Sequence, residues 1–135
     1  MADIGGSRRN ARERALSLLY EAEMKHLSGS QVVAELAVAP DPYVVRLVRG
    51  VSEHEASIDQ LLARAAVGWE VQRMAMVDRS VMRIAVYELL EQPEVPTAVV
   101  LDEAVELAKR FSTDQSGGFV NGVLATIARE VRPGP

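Results

Sequence analysis

Four arginines fall within seven residues near the start of the chain: Arg8, Arg9, Arg12 and Arg14. Guanidinium groups at this density suit a polyanion, because each planar fork donates two parallel hydrogen bonds to a phosphate and stays charged at any working pH. The whole chain carries a net charge of −4, whereas its opening stretch sets only Asp3 and Glu13 against these arginines. On a helical wheel Arg8, Arg9 and Arg12 lie within about 100° of one another. Tyr20 projects on nearly the same side as Arg9, about 17 Å further along the axis. A ring so placed can stack a base of a single strand that the arginines already hold. The competing reading is a solvated helix end with a half-buried tyrosine.

A second charged feature has the opposite sign. From Glu88 to Glu106 there are six acids, Glu88, Glu91, Glu94, Asp102, Glu103 and Glu106, and no base. Such a stretch attracts a cationic protein partner or simply keeps a helix face solvated. Catalytic chemistry finds little support. His26 and His54 stand 28 residues apart with no acid at metal-ligand spacing, and there is no cysteine to serve as nucleophile or thiolate ligand. Ser52, His54 and Asp59 point apart on one helix and cannot form a relay. Ser116-Gly117-Gly118 lacks the pattern of a nucleotide loop and reads as a cap and loop. The chain is therefore expected to be neither an enzyme nor a metal or cofactor protein.

These residues need elements to hold them, and the periodicity supplies helices. Ala11, Ala15, Leu18, Leu19 and Ala22 form one stripe on a helix from Arg8 to about Lys25, with Ser7 as its expected N-cap. A short helix carries Val32, Val33 and Leu36. After Pro40-Asp41-Pro42, Val44 to Ala65 trace a long amphipathic helix with a kink expected between Gly50 and Glu55. Val71 and Met74 suggest a short turn, Val81 to Leu89 a helix stopped by Pro93 and Pro96, Leu101 to Phe111 another, and Phe119 to Ile127 the last. Trp69, after Gly68, is expected to plug the core. The β-branched pairs sit inside helix-period patterns, so the fold class is all-α, with six to seven helices. The expected organisation is a flexible terminus over 1–7, subdomains over 8–68 and 69–132, and a tail over 133–135. Hydrophobic residues at 48% and charged residues at 25% fit an ordinary globular chain without a leader or membrane span, expected in the cytoplasm.

Four segments, taken in order and spacing, resemble the NusB family of transcription antitermination factors. They are RRNARERALSLLY from Arg8 to Tyr20, VDRSVMRIAVYEL from Val77 to Leu89, VLDEAVELAKRF from Val100 to Phe111, and FVNGVL from Phe119 to Leu124. The resemblance implies two packed three-helix-type bundles. It also implies binding of boxA RNA from ribosomal RNA leader transcripts together with NusE, a small-subunit ribosomal protein, in the antitermination complex on RNA polymerase. Carried onto this chain, it implies RNA contacts at Arg8, Arg9, Arg12, Tyr20, Lys109 and Phe119. Charge then nominates Glu88, Glu91, Asp102, Glu103 and Glu106 as contacts for NusE. Asn10 and Gly117-Gly118 depart from the family pattern by removing cations, which predicts a weaker grip on RNA. Relatives occur as monomers and dimers, so a homodimer stays open. Two other readings stay open as well: an RNA-binding bundle like that of ribosomal RNA cytosine methyltransferases, and a helical scaffold whose basic end serves an acidic protein.

Overall fold

The polar punctuation of the chain is used locally to start and stop helices. A computed structural model describes the backbone of residues 4–134 and side chains from Arg8 onward. The elements are α1 (Ile4–Lys25), α2 (Gly29–Ala34), α3 (Pro42–Glu53), α4 (Glu55–Ala65), a 3-10 turn (Val71–Arg73), α5 (Met76–Glu91), α6 (Thr97–Phe111) and α7 (Ser116–Val131). Ser28 and Gln31 make a reciprocal capping box for α2, and Asp41 caps α3 with Pro42 in its first turn. Among the described residues there are seven α-helices and no strand, and no helix is long and apolar enough to cross a membrane.

Two boundaries differ from those expected. α1 runs back to Ile4, so Ser7 lies within the helix and is not its cap; of the terminus expected to be flexible, residues 1–3 lie outside the described residues. The long helix expected over Val44 to Ala65 is two helices that meet at His54. The backbone N–H of His54 donates to the Gly50 carbonyl at 3.0 Å, and its Nδ1 lies 2.9 Å from the same oxygen. Gly50 itself sits in regular helix and has another task. A Cβ at this position would lie 2.1 Å from the Tyr87 ring, so the glycine lets α3 approach α5.

α5 is the axis of the molecule. Every residue from Asp78 to Leu89 is buried, which is the behaviour of a helix covered on all sides. α1 and α3 pack on one flank of it and α6 and α7 on another, while α4 lies against both α5 and α7. One core runs unbroken across Gly68, from Leu18, Leu47 and Ile58 to Met82, Leu124 and Ile127. Arg132, just past α7, clamps the end of α5 by donating to the carbonyls of Glu88, Leu89, Gln92 and Val95. The Glu88 and Gln92 carbonyls also accept the N–H groups of Gln92 and Val95, so the clamp adds a charged donor at the negative end of the α5 dipole. Because no volume is free beside Tyr87, Gly50→Ala is expected to lower stability by about 1 to 3 kcal/mol. Urea unfolding checks this, and a wild-type midpoint for the variant would contradict the close approach.

Candidate nucleic-acid interface

The arginine cluster is the natural starting point, and the fold divides it. Arg12 points inward and is 3% exposed. Its Nε and Nη2 each donate to the Glu88 carboxylate at 2.9 Å, and the same carboxylate accepts the Tyr43 hydroxyl at 2.5 Å. Burial works against the Arg12 charge, but the hydrogen bonds and charge of Glu88 more than offset it and leave the guanidinium harder to deprotonate than usual. The Tyr43 hydroxyl is pushed up, first by burial and then by the neighbouring Glu88 charge. Two expectations are corrected here. Arg12 does not contact phosphate and Glu88 does not face a protein partner, because each is the buried counter-charge of the other.

The other two arginines are also engaged, though less firmly. Arg8 lies over the Tyr43 ring at 4.1 Å from its centroid and reaches Glu94 at 3.4 Å. Arg9 donates through Nε and Nη2 to the two oxygens of Glu103 at 3.0 and 2.7 Å. The basic cluster and much of the acidic stretch are therefore each other's partners across the α1–α5–α6 junction. Of the acids nominated for a partner, Glu91, Asp102 and Glu106 are exposed and make no ion pair among the described residues. Glu103 is mostly covered by the arginines.

A surface suited to bases lies further along α1. Tyr20 is 47% exposed and Phe111 46%, and both line a groove with Leu16 and Val77. Arg110 packs on the Phe111 ring at 4.8 Å and donates to Glu13 at 2.6 Å, which holds a cation at the groove's rim. A second groove begins one residue on, at Asp78, and is lined by Trp69, Met74, Ser116 and Phe119. Trp69 and Phe119 meet at 5.5 Å between centroids with a tilt of 57°. Trp69 is half exposed, so it is a platform and not the expected core plug. The start of α5 places Asp78 so that one carboxylate oxygen accepts the Ser116 hydroxyl at 3.0 Å, while the other is buried without a partner. Lys109 is exposed, and its aliphatic stem lies over Gly117 in the first turn of α7, where any Cβ would meet it at 3.0 Å.

The expected site residues thus separate. Arg9, Tyr20, Lys109 and Phe119 reach solvent along one edge, Arg8 lies at its head, and Arg12 drops out. Sequence reasoning overlooked Phe111, Trp69, Asp78 and Arg110. Phe111 falls on the apolar period of its helix, yet it closes α6 where the stripe runs off the packed face. Half-exposed rings flanked by cations can stack bases and hold phosphates of a single strand.

The sequence pattern of the NusB family matches residues 9–129. This chain belongs to the NusB family. It is 48% identical to the transcription antitermination protein NusB of Acidothermus cellulolyticus over 125 residues, which cover 90% of this chain and 86% of that protein. NusB of T. maritima superposes with a TM-score of 0.83 at 36% identity, with 91% of each chain covered. A structure of the antitermination factors NusB and NusE in complex with dsRNA contains a chain that matches at a TM-score of 0.77 and 27% identity, covering 91% of this chain and 96% of that one.

Within this NusB-family fold the division of the arginines has a measurable consequence. Arg12→Gln leaves Glu88 buried without its cation and is expected to lower folding stability by about 3 to 5 kcal/mol. Arg9→Gln removes a guanidinium that reaches solvent and is expected to leave folding stability close to wild type. Denaturant unfolding of both variants compares them, and equal losses would mean that Arg12 is not the structural member.

Proposed function

We propose that this chain is a transcription antitermination factor that binds single-stranded boxA RNA of ribosomal RNA leader transcripts jointly with NusE. The pair then helps load the remaining factors on RNA polymerase in the cytoplasm, so that polymerase reads through terminators while making ribosomal RNA. The role is one of binding, without turnover. The observation that carries this reading is the set of rings lining two grooves, half-exposed Tyr20 and Phe111 in one, and half-exposed Trp69 with the partly buried Phe119 in the other. Neighbouring residues at the start of α5, Val77 and Asp78, line one groove each. Arg9 stands one turn before Glu13 at the head of this edge, Arg110 at its rim and Lys109 over the start of α7.

Each part of the edge has a distinct task. The rings supply stacking that tolerates any base, and the cations supply the salt-dependent grip on the backbone. Asp78 lines the Trp69–Phe119 groove, with one carboxylate oxygen held by the Ser116 hydroxyl. The complex of a similar NusB with NusE and RNA supports both partners. Exposed Glu91, Asp102 and Glu106 are the acids left to meet a basic protein, since Glu88 and Glu103 are already paired within the chain.

Titration of labelled boxA RNA against a scrambled strand, with and without NusE, tests the proposal. Preference for boxA, tightened by NusE, is the expected outcome; Phe119→Ala should weaken RNA binding by about 1 to 3 kcal/mol through the lost stack. Equal affinity for both strands with no effect of NusE would refute the assignment.

A further inference from the structure

Three features of the Arg9–Glu103 pair set it apart from the other charge pairs of α1. The first is its geometry. Glu103 presents two oxygens to Nε and Nη2 at 3.0 and 2.7 Å, the same two-pronged acceptor that the non-bridging oxygens of a phosphodiester present. The second is its asymmetry. The Arg9 side chain is 56% exposed and Glu103 only 14%, so the cation can swing outward while the anion stays in place. The third is that Glu103 has a reserve partner. Arg12 Nη1 lies 3.9 Å from it, on the side of the guanidinium that Glu88 does not use, so loss of Arg9 would not strand Glu103.

Arg12 and Glu88 lack this freedom. Both are buried, and parting them would leave two unpaired charges inside the protein. Arg8 is restrained by its seat on the Tyr43 ring. Taking the RNA reading as its basis, we infer that Glu103 occupies the seat of an RNA phosphate on Arg9. RNA then binds at this point by exchanging one anion for another, and Glu103 sets the affinity of the edge. Arg9 holds the Glu103 carboxyl below the usual carboxylate range, so the competing anion stays ionised across the working range of pH. The arrangement raises the threshold for RNA. A nonspecific contact that offers only one phosphate to Arg9 must displace Glu103, whereas a strand also stacked on Tyr20 and Phe119 brings its phosphate at high effective concentration.

The test compares RNA affinity at fixed salt for wild type, Glu103→Gln, Glu103→Asp, Arg9→Gln and the double variant Arg9→Gln/Glu103→Gln, with thermal melting to confirm folding. Glu103→Gln removes the competing charge and is expected to bind about two- to five-fold tighter, as fits the weakness of exposed pairs. Glu103→Asp keeps the charge but shortens its reach, and is expected to gain as well. In the Arg9→Gln background the Glu103→Gln gain should vanish. Weaker binding by Glu103→Gln would make Glu103 a positioner of Arg9, and unchanged binding would remove Arg9 from the phosphate seat. An equal gain with and without Arg9 would reduce the effect to long-range charge. Each of these three results overturns the exchange while leaving the RNA reading intact. Failure of wild type to bind RNA at all would overturn both.

Discussion

A buried carboxylate, Glu88, joins three helices, and the rest of the molecule is arranged around the need to keep it paired. Arg12 from α1 and Tyr43 from α3 converge on it in the middle of the structure. Its own helix, α5, carries three further buried charges, and each finds its partner on a different neighbour. Arg79 pairs with Glu23 of α1, Arg83 with Asp59 of α4 at 2.7 Å, and Asp78 accepts from Ser116 of α7. Buried ion pairs add little net stability over a well-packed apolar core, but losing one member is severe. What they provide here is registration, since a helix surrounded by aliphatic side chains alone could slide or rotate, whereas these pairs fix α5 against its neighbours.

This constraint decides what the arginine-rich start of α1 is for. Its guanidiniums grade from interior to surface within two helical turns: Arg12 fixed on Glu88, Arg8 resting on Tyr43, and Arg9 paired but reaching solvent. The same helix therefore anchors the fold and borders the proposed RNA edge. The acids of α6 and of the loop before it serve first to neutralise that helix. Glu91, Asp102 and Glu106 are exposed and make no ion pair among the described residues.

Much of this was legible in the sequence, and the parts that were not have physical reasons. Aliphatic spacing of three and four residues marks each helix, because burial of one face is what makes a helix of this length stable. The family resemblance rested on four segments, and all four fall on α1, α5, α6 and α7, which line the proposed RNA edge. The break at His54 falls within the Gly50 to Glu55 stretch where a kink is expected, but Gly50 itself answers to Tyr87, 37 residues later and invisible to local reasoning. Arg12 looked equivalent to Arg8 and Arg9 for a similar reason: its partner lies 76 residues away. Trp69 reads as a core plug and Phe111 continues the apolar period of its helix, yet both sit where helices end and the packed face runs out, which a wheel cannot register.

The central claim is that bases stack along the edge where α5 begins, between the two pairs of rings. Trp69, the chain's one tryptophan, is half exposed in that edge and reports on it directly. Titration with boxA RNA should quench its fluorescence saturably, with a midpoint equal to the binding midpoint read from the labelled strand. Unchanged Trp69 emission at RNA concentrations that saturate the protein would place the nucleic acid on another face and contradict the account.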